Sequence, residues 1–201
     1  MRIETSAGPA EIELDRPRRA GALLVLTHGS GGGVDAKDLL VVRDRAVELG
    51  VAVARVTQPY RVAGRRAPGS AVAQDAAWAE IVAALRKKVR RVPLIQGGRS
   101  NGARVACRTA VPLGAKGVVA LSFPLHPPGK PEKSRRAELS AASAAIEVLV
   151  INGARDPFGV PDPADAAEVK VIAGQAHSFR AGFDEIAETV EPWLRRWSGR
   201  E

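Results

Sequence analysis

Three short segments hold residue types suited to acyl transfer. Gly98-Arg99-Ser100-Asn101-Gly102 is a G-x-S-x-G, Asp156 opens an Asp-Pro-Phe-Gly stretch, and His177 lies further on in Gln-Ala-His-Ser-Phe. A serine hydroxyl is a weak nucleophile until a base takes its proton, and a carboxylate can orient an imidazole for that task. The order serine, acid, histidine is one known arrangement of such a trio. The pentapeptide alone is a weak signal, because glycine and serine are common in this chain. Its place after an apolar run gives it weight. At a sharp strand-to-helix turn the serine backbone is strained, and flanking glycines let strand and helix approach each other. The first N–H groups of the helix then face the hydroxyl. A plain glycine-rich turn with Ser100 as a helix N-cap is the alternative.

Each partner also follows a strand-like run. His28-Gly29-Ser30-Gly31-Gly32-Gly33 comes after Leu23 to Thr27. Backbone N–H groups of Gly29, Ser30 or Gly31, with that of Asn101, could hold an oxyanion formed above Ser100. A phosphate-cradling loop is the rival, but neither G-x-x-x-x-G-K-[ST] nor G-x-G-x-x-G stands there. Asp156 could be only a turn-forming acid before proline, with Asp162 and Asp165 as substitutes in the catalytic role. The chain has three histidines. His28 belongs to the glycine loop and is read as orienting it; His126 sits in a proline-rich stretch. That leaves His177 as the base.

Positioning these groups requires strands that end at one edge. Leu23 to Thr27, Val51 to Val56, Val92 to Gln96, Val118 to Ser122, Val148 to Ile151 and Val169 to Ile172 are short and rich in Val, Leu and Ile. Several are apolar at nearly every position, as in parallel strands covered on both faces. Between them Leu39, Val42, Ala46 and Leu49 make a helical stripe closed by Gly50, and Trp78, Ile81, Val82 and Leu85 make another. A last stripe runs from Phe183 to Trp197, with a kink expected at Pro192. Strand alternating with helix predicts a three-layer α/β/α sandwich on a mostly parallel sheet. Ile3 and Glu11 to Leu14 are expected to add antiparallel edge strands. Pro124 to Arg136, with four prolines, reads as a surface loop or small lid.

Length and composition bound the rest. The 201 residues predict one domain, 1–201, with no room for a large cap. The single cysteine, Cys107, excludes an internal disulfide framework and a multi-cysteine zinc site, and no metal or cofactor is called for. No apolar run approaches a membrane span, and the first residues lack a signal-peptide core, so a cytoplasmic protein is expected. Thirty Lys and Arg against 22 Asp and Glu give a net charge of +8. The cations come in short clusters without interleaved aromatics, which argues against nucleic acid as partner. Arg61, Arg65, Arg66 and Lys130 could attract a small anionic acyl substrate, or serve only solubility. The oligomeric state is not legible.

Further segments narrow the reading: Gly64-Arg65-Arg66-Ala67-Pro68, Gly97-Gly98-Arg99-Ser100, the long stretch from Phe123 to Pro131, and Arg155-Asp156-Pro157-Phe158-Gly159. With the order Ser100, Asp156, His177, the chain resembles the α/β-hydrolase fold. More narrowly, it resembles a dienelactone-hydrolase-like group of predicted hydrolases. Animal members of that group include a subunit of the non-specific-lethal chromatin complex and a testis-expressed protein. The resemblance implies the fold and the trio, but no substrate, and a role for His126 in lining the pocket or pinning the lid. Two functions follow as expectations. One is a serine hydrolase of small esters or thioesters; the other is a catalytically silent hydrolase-like interaction module.

Overall fold

A computed structural model of the chain describes residues 1–199. The middle strand, β3 (Leu23–Thr27), shows why its sequence has no polar alternation. Leu23 and Val25 enter one apolar cluster and Leu24 and Leu26 the other, so both faces of the pleat are covered. Truncating any one of these leucines to alanine would leave a cavity costing about 2–5 kcal/mol. Around β3 lie β1 (Arg2–Ile3), β2 (Ala10–Asp15), β4 (Ala52–Thr57), β5 (Leu94–Arg99), β6 (Ala115–Leu121), β7 (Glu147–Gly153) and β8 (Glu168–Ile172). They form one eight-stranded sheet in the order β1-β2-β4-β3-β5-β6-β7-β8. β1 and β2 pair antiparallel, β2 runs antiparallel to β4, and the other pairings are parallel.

Two helices cover one face and three the other. α1 (Lys37–Glu48) sets Leu39, Val42 and Ala46 against β3 and β4 and ends in Gly50 at φ 70°. There Val51 N–H reaches Ala46 O and Gly50 N–H reaches Val47 O, so the last carbonyls are capped. α6 (Phe183–Ser198) joins α1 on that face and runs on through Pro192, which therefore does not end it as a breaker would. On the opposite face α3 (Ala71–Lys88) buries Trp78, Ile81, Val82 and Leu85. α4 (Asn101–Ala110) and α5 (Arg136–Ser143) pack beside it. The sequence reading missed α5 and the four-residue α2 (Pro59–Val62). Residues 124–135 form the expected loop, and among the described residues no large cap stands over the sheet. The strands that matter end together: Thr27 is in register with Gly98, Arg99 with Leu121, and Gly153 with Ile172.

Candidate active site

The turn from β5 into α4 is the strained feature of this edge. Ser100 has φ 54° and ψ −114°, a region that residues with a Cβ rarely adopt. The surroundings force it there. Ser100 N–H donates to Leu121 O (2.9 Å), and Ser100 O accepts from Arg104 N–H (3.2 Å). The glycines on either side are required by contact. A Cβ on Gly102 would lie 2.5 Å from Thr27 O, and one on Gly98 would lie 2.6 Å from the same oxygen. Strand β5 therefore extends to Arg99, the residue before the serine and three beyond the Gln96 boundary expected from its apolar pattern.

Ser100, His177 and Asp156 meet above this turn. His177 Nε2 is 2.9 Å from Ser100 Oγ and His177 Nδ1 is 2.8 Å from Asp156 Oδ2. The Asp156 carboxylate is fully enclosed, while the His177 side chain keeps 18% of its surface open. Two groups absent from the sequence reading fix the acid. Phe158 N–H donates to Asp156 Oδ1 (2.9 Å), and Asn152 Nδ2 lies 3.4 Å from Oδ2. Asn152 is itself held by Phe123, whose N–H donates to Asn152 Oδ1 (2.8 Å). The Phe158 ring covers the imidazole with centroids 4.1 Å apart. Asp162 and Asp165 do not reach His177. Asp162 caps a 3₁₀ turn at Pro163–Asp165, and Asp165 bonds back to Asp162 N–H and pairs with Arg136.

Arg99, the variable residue of the G-x-S, ties the histidine loop to the elbow. One guanidinium nitrogen, Nη2, donates to His177 O (2.8 Å) and Ser178 Oγ (2.7 Å). Its Nε faces Asp38 Oδ2 at 2.9 Å, and that carboxylate is almost wholly buried at the start of α1. Burial pushes the Asp38 carboxyl up, and Arg99 pulls it back down. Only the position of Arg99 inside the motif could have signalled this role.

The glycine loop lies against the serine. A Cβ on Gly29 would meet Ser100 Cβ at 3.1 Å. His28 holds this loop from beneath. It is fully buried, its Nδ1 lies 2.8 Å from Gly29 O, and its Nε2 accepts from Gln58 N–H (3.0 Å). A carbonyl on one side and a donor on the other require the neutral Nδ1–H tautomer. Burial depresses its pKa in the same sense, with a smaller push from Arg61. Asn101, as the first residue of α4, has no acceptor for its N–H within its own helix.

A cavity of about 470 Å³ opens over Ser100, with Gly29, Ser30, Gly31, Asn101, Phe158 and His177 in its walls. Its cations differ from those expected. Arg61, Arg65, Arg66 and Lys130 do not line it; Arg99, Arg104 and Arg135 do. Residues 59–62 form α2, and Lys130 is exposed on its loop. His126 is not in the wall either. Its Nδ1 contacts Pro127 O (2.9 Å), and its ring abuts Gly159, pinning the proline loop to the segment after Asp156. Arg104 is held by Glu138 through two bonds (2.8 and 2.5 Å), and Arg108 by Asp75 through two more (2.8 and 2.7 Å). Arg135 donates to Pro124 O (3.3 Å); burial and then the neighbouring Arg104 lower its pKa. Cys107, enclosed in α4, is no rival nucleophile, because burial pushes its thiol up to about 12. Among the described residues no cluster of three or more His, Cys, Asp and Glu side chains is placed to hold a metal ion. No described helix is long and apolar enough to cross a membrane.

The sheet order, the antiparallel β2 and the serine on a β5–α4 elbow define an α/β-hydrolase fold. The chain belongs to the alpha/beta hydrolase domain family, whose model matches residues 20–186. No curated protein sequence matches it. Solved structures share the fold at low identity. An alpha-beta serine hydrolase homologue from Coxiella burnetii aligns at TM-score 0.79 and 17% identity, over 96% of both chains. Est1E from Butyrivibrio proteoclasticus, solved with ferulic acid bound, aligns at TM-score 0.79 and 17% identity, over 99% of both. A dienelactone hydrolase from Anabaena variabilis aligns at TM-score 0.76 and 16% identity, covering 98% of this chain and 96% of its own.

Proposed function

We propose that the protein is a serine hydrolase of small carboxylic esters or thioesters. The observation that carries this reading is the unbroken run of short contacts from Asp156 through His177 to the strained Ser100. Ser100 Oγ attacks the acyl carbonyl as His177 Nε2 takes its proton, and Asp156 stabilises the imidazolium. The Asn101 N–H and one N–H from Gly29, Ser30 or Gly31 receive the oxyanion, each donor contributing about 3 kcal/mol to the barrier reduction. The imidazolium then protonates the leaving alcohol or thiol. Water, activated by the same His177, releases the acid and restores Ser100. The cycle requires neither metal nor cofactor. Arg135, which lines the cavity and among the described residues forms no ion pair with a carboxylate, favours substrates bearing a negative group. The chain works as one unit over residues 1–201, and its buried, unpaired cysteine suits the reducing cytoplasm.

Fluorophosphonate labelling tests the reading directly. Folded wild-type protein should be labelled on Ser100, Ser100→Ala should not, and a panel of p-nitrophenyl esters beside acyl thioesters should reveal turnover. Folded protein that neither reacts nor turns over any member would instead support a catalytically silent interaction module.

A further inference from the structure

One of the arginines that the sequence offered for substrate binding, Arg65, lines a different cavity. Beneath the loop that joins α2 to α3 is a space of about 240 Å³, with Tyr60, Ala77, Trp78 and Ile81 forming its buried apolar floor. Its interior polar groups are already satisfied. Gln74 Nε2 donates to Gln58 Oε1 (2.6 Å), Gln58 Nε2 donates to Thr27 Oγ1 (3.1 Å), and Trp78 Nε1–H points away to Gln96 Oε1 (2.6 Å). A ligand body entering here meets only apolar surface and paired amides, so it must itself be apolar. Arg65 stands at the rim, exposed, and among the described residues neither Arg61, Arg65 nor Arg66 has a carboxylate partner. Gly64 and Gly69, at φ 74° and 79° with open space around both, bracket the covering segment. An apolar cavity of roughly 150 Å³ can hold benzene, so this one takes a ring with a short arm.

We propose that this second cavity binds a small aryl carboxylate, ring inward and carboxylate on Arg65, and that occupancy is transmitted to the glycine loop beside Ser100. The route is short. Tyr60, in the cavity wall, donates its hydroxyl to Ser30 O (3.4 Å). Gln58, in the same wall, donates its N–H to His28 Nε2, and His28 Nδ1–H bonds Gly29 O. Gly29 is the residue packed on Ser100. The binding half stands alone; the transmission half rests on the hydrolase reading.

The test uses phenylacetate as probe and calorimetric titration as readout. Saturable one-to-one binding is expected, weakened about tenfold or more by Arg65→Ala and to a similar degree when neutral phenylacetamide replaces the acid. Arg135→Ala should leave it unchanged. No saturable binding at millimolar phenylacetate overturns the site, as does binding lost in Arg135→Ala but kept in Arg65→Ala, which would put the probe over Ser100. Phenylacetate should also change kcat on a neutral p-nitrophenyl ester, and Tyr60→Phe should bind it while losing that effect. Binding without any change in wild-type kcat overturns the transmission. Binding by a protein that turns over no ester leaves the site standing and removes the hydrolase reading instead.

Discussion

Replacing Arg99 by leucine separates two roles that one guanidinium performs. The change strips Asp38 of its ion-pair partner and releases His177 O and Ser178 Oγ. Breaking a buried pair by removing one member costs about 3 kcal/mol, and for a chain of this size that lowers Tm by roughly 6–12 °C. The pH dependence follows from Asp38. Its folded pKa is raised, so its contribution to stability is fullest below the unfolded value and is lost as pH climbs toward the folded one. Without Arg99 the folded value rises further, so the deficit of Arg99→Leu should be larger near neutrality than at about pH 4. Adding Asp38→Asn removes the unpaired charge and should recover most of the lost Tm. It cannot restore the grip on the histidine loop. A displacement near 1 Å of His177 costs on the order of 100-fold in rate, so kcat should stay low in the double variant. Circular dichroism melts at two pH values and ester kinetics normalised by fluorophosphonate titration give both readouts. Wild-type kcat in the double variant would refute the positioning role. A Tm deficit independent of pH would refute the buried carboxylate as its source.

Ser100→Gly should abolish turnover yet melt no lower than wild type, because removing the Cβ relieves a strain of about 1–3 kcal/mol against a glycine entropy cost of about 1 kcal/mol; thermal melts decide it. Gly29→Ala and Gly102→Ala should diverge. The first brings a Cβ within 3.1 Å of Ser100 Cβ, so the loop or the serine must give by a few tenths of an ångström, and it should lower kcat at least tenfold with a small loss of Tm. The second drives a Cβ into Thr27 O and should destabilise by more than about 2 kcal/mol, read by urea denaturation. His28 has a depressed pKa, so the stability tied to its neutral form is present above the ordinary imidazole value and lost as pH falls below it. His28→Gln should therefore flatten the fall in Tm between about pH 7 and pH 5. Arg135→Ala should raise KM for p-nitrophenyl hemisuccinate about tenfold or more while leaving the neutral acetate ester unchanged, which steady-state kinetics can separate.

Much of the sheet was legible because burial on both faces writes itself into continuous apolar runs. Leu23 to Thr27 reads as a strand without any partner in view, and its observed limits are the same. Where the strand ends in glycine the signal fades. β5 continues through Gly97, Gly98 and Arg99, and the two glycines are required by close contact with Val119 O and Thr27 O and not by side-chain burial. α5 was lost for a related reason. Leu139 and Ala142 are its buried residues, too few for a periodic stripe, and the helix draws on Glu138 holding Arg104 and Arg108 of the neighbouring α4. The Ser100, Asp156 and His177 positions were legible because each follows a strand that ends at the same edge. What fixes their orientation was not. Asn152 acts on Asp156 from four residues away, but Phe123 acts on Asn152 from just past the neighbouring strand β6, and no spacing announces it.

The cations that line the cavity are not those the sequence offered. Arg61, Arg65, Arg66 and Lys130 stood out there, with solubility as the alternative, whereas a cavity collects residues by convergence. Arg99 ends a strand, Arg104 lies one turn into the next helix, and Arg135 precedes a third element, so all three meet over Ser100 although 36 residues separate the first from the last. Several arginines acquire carboxylate partners inside the fold. Arg55, Arg99, Arg104 and Arg108 are each at least three-quarters covered and each faces a carboxylate. A guanidinium can bury its stem and meet two oxygens in one plane, so it braces elements as readily as it meets solvent. Among the described residues Arg65 and Arg66 have no such partner, and Arg135 feels the charge of a carboxylate, Glu138, that is already engaged with Arg104 and Arg108.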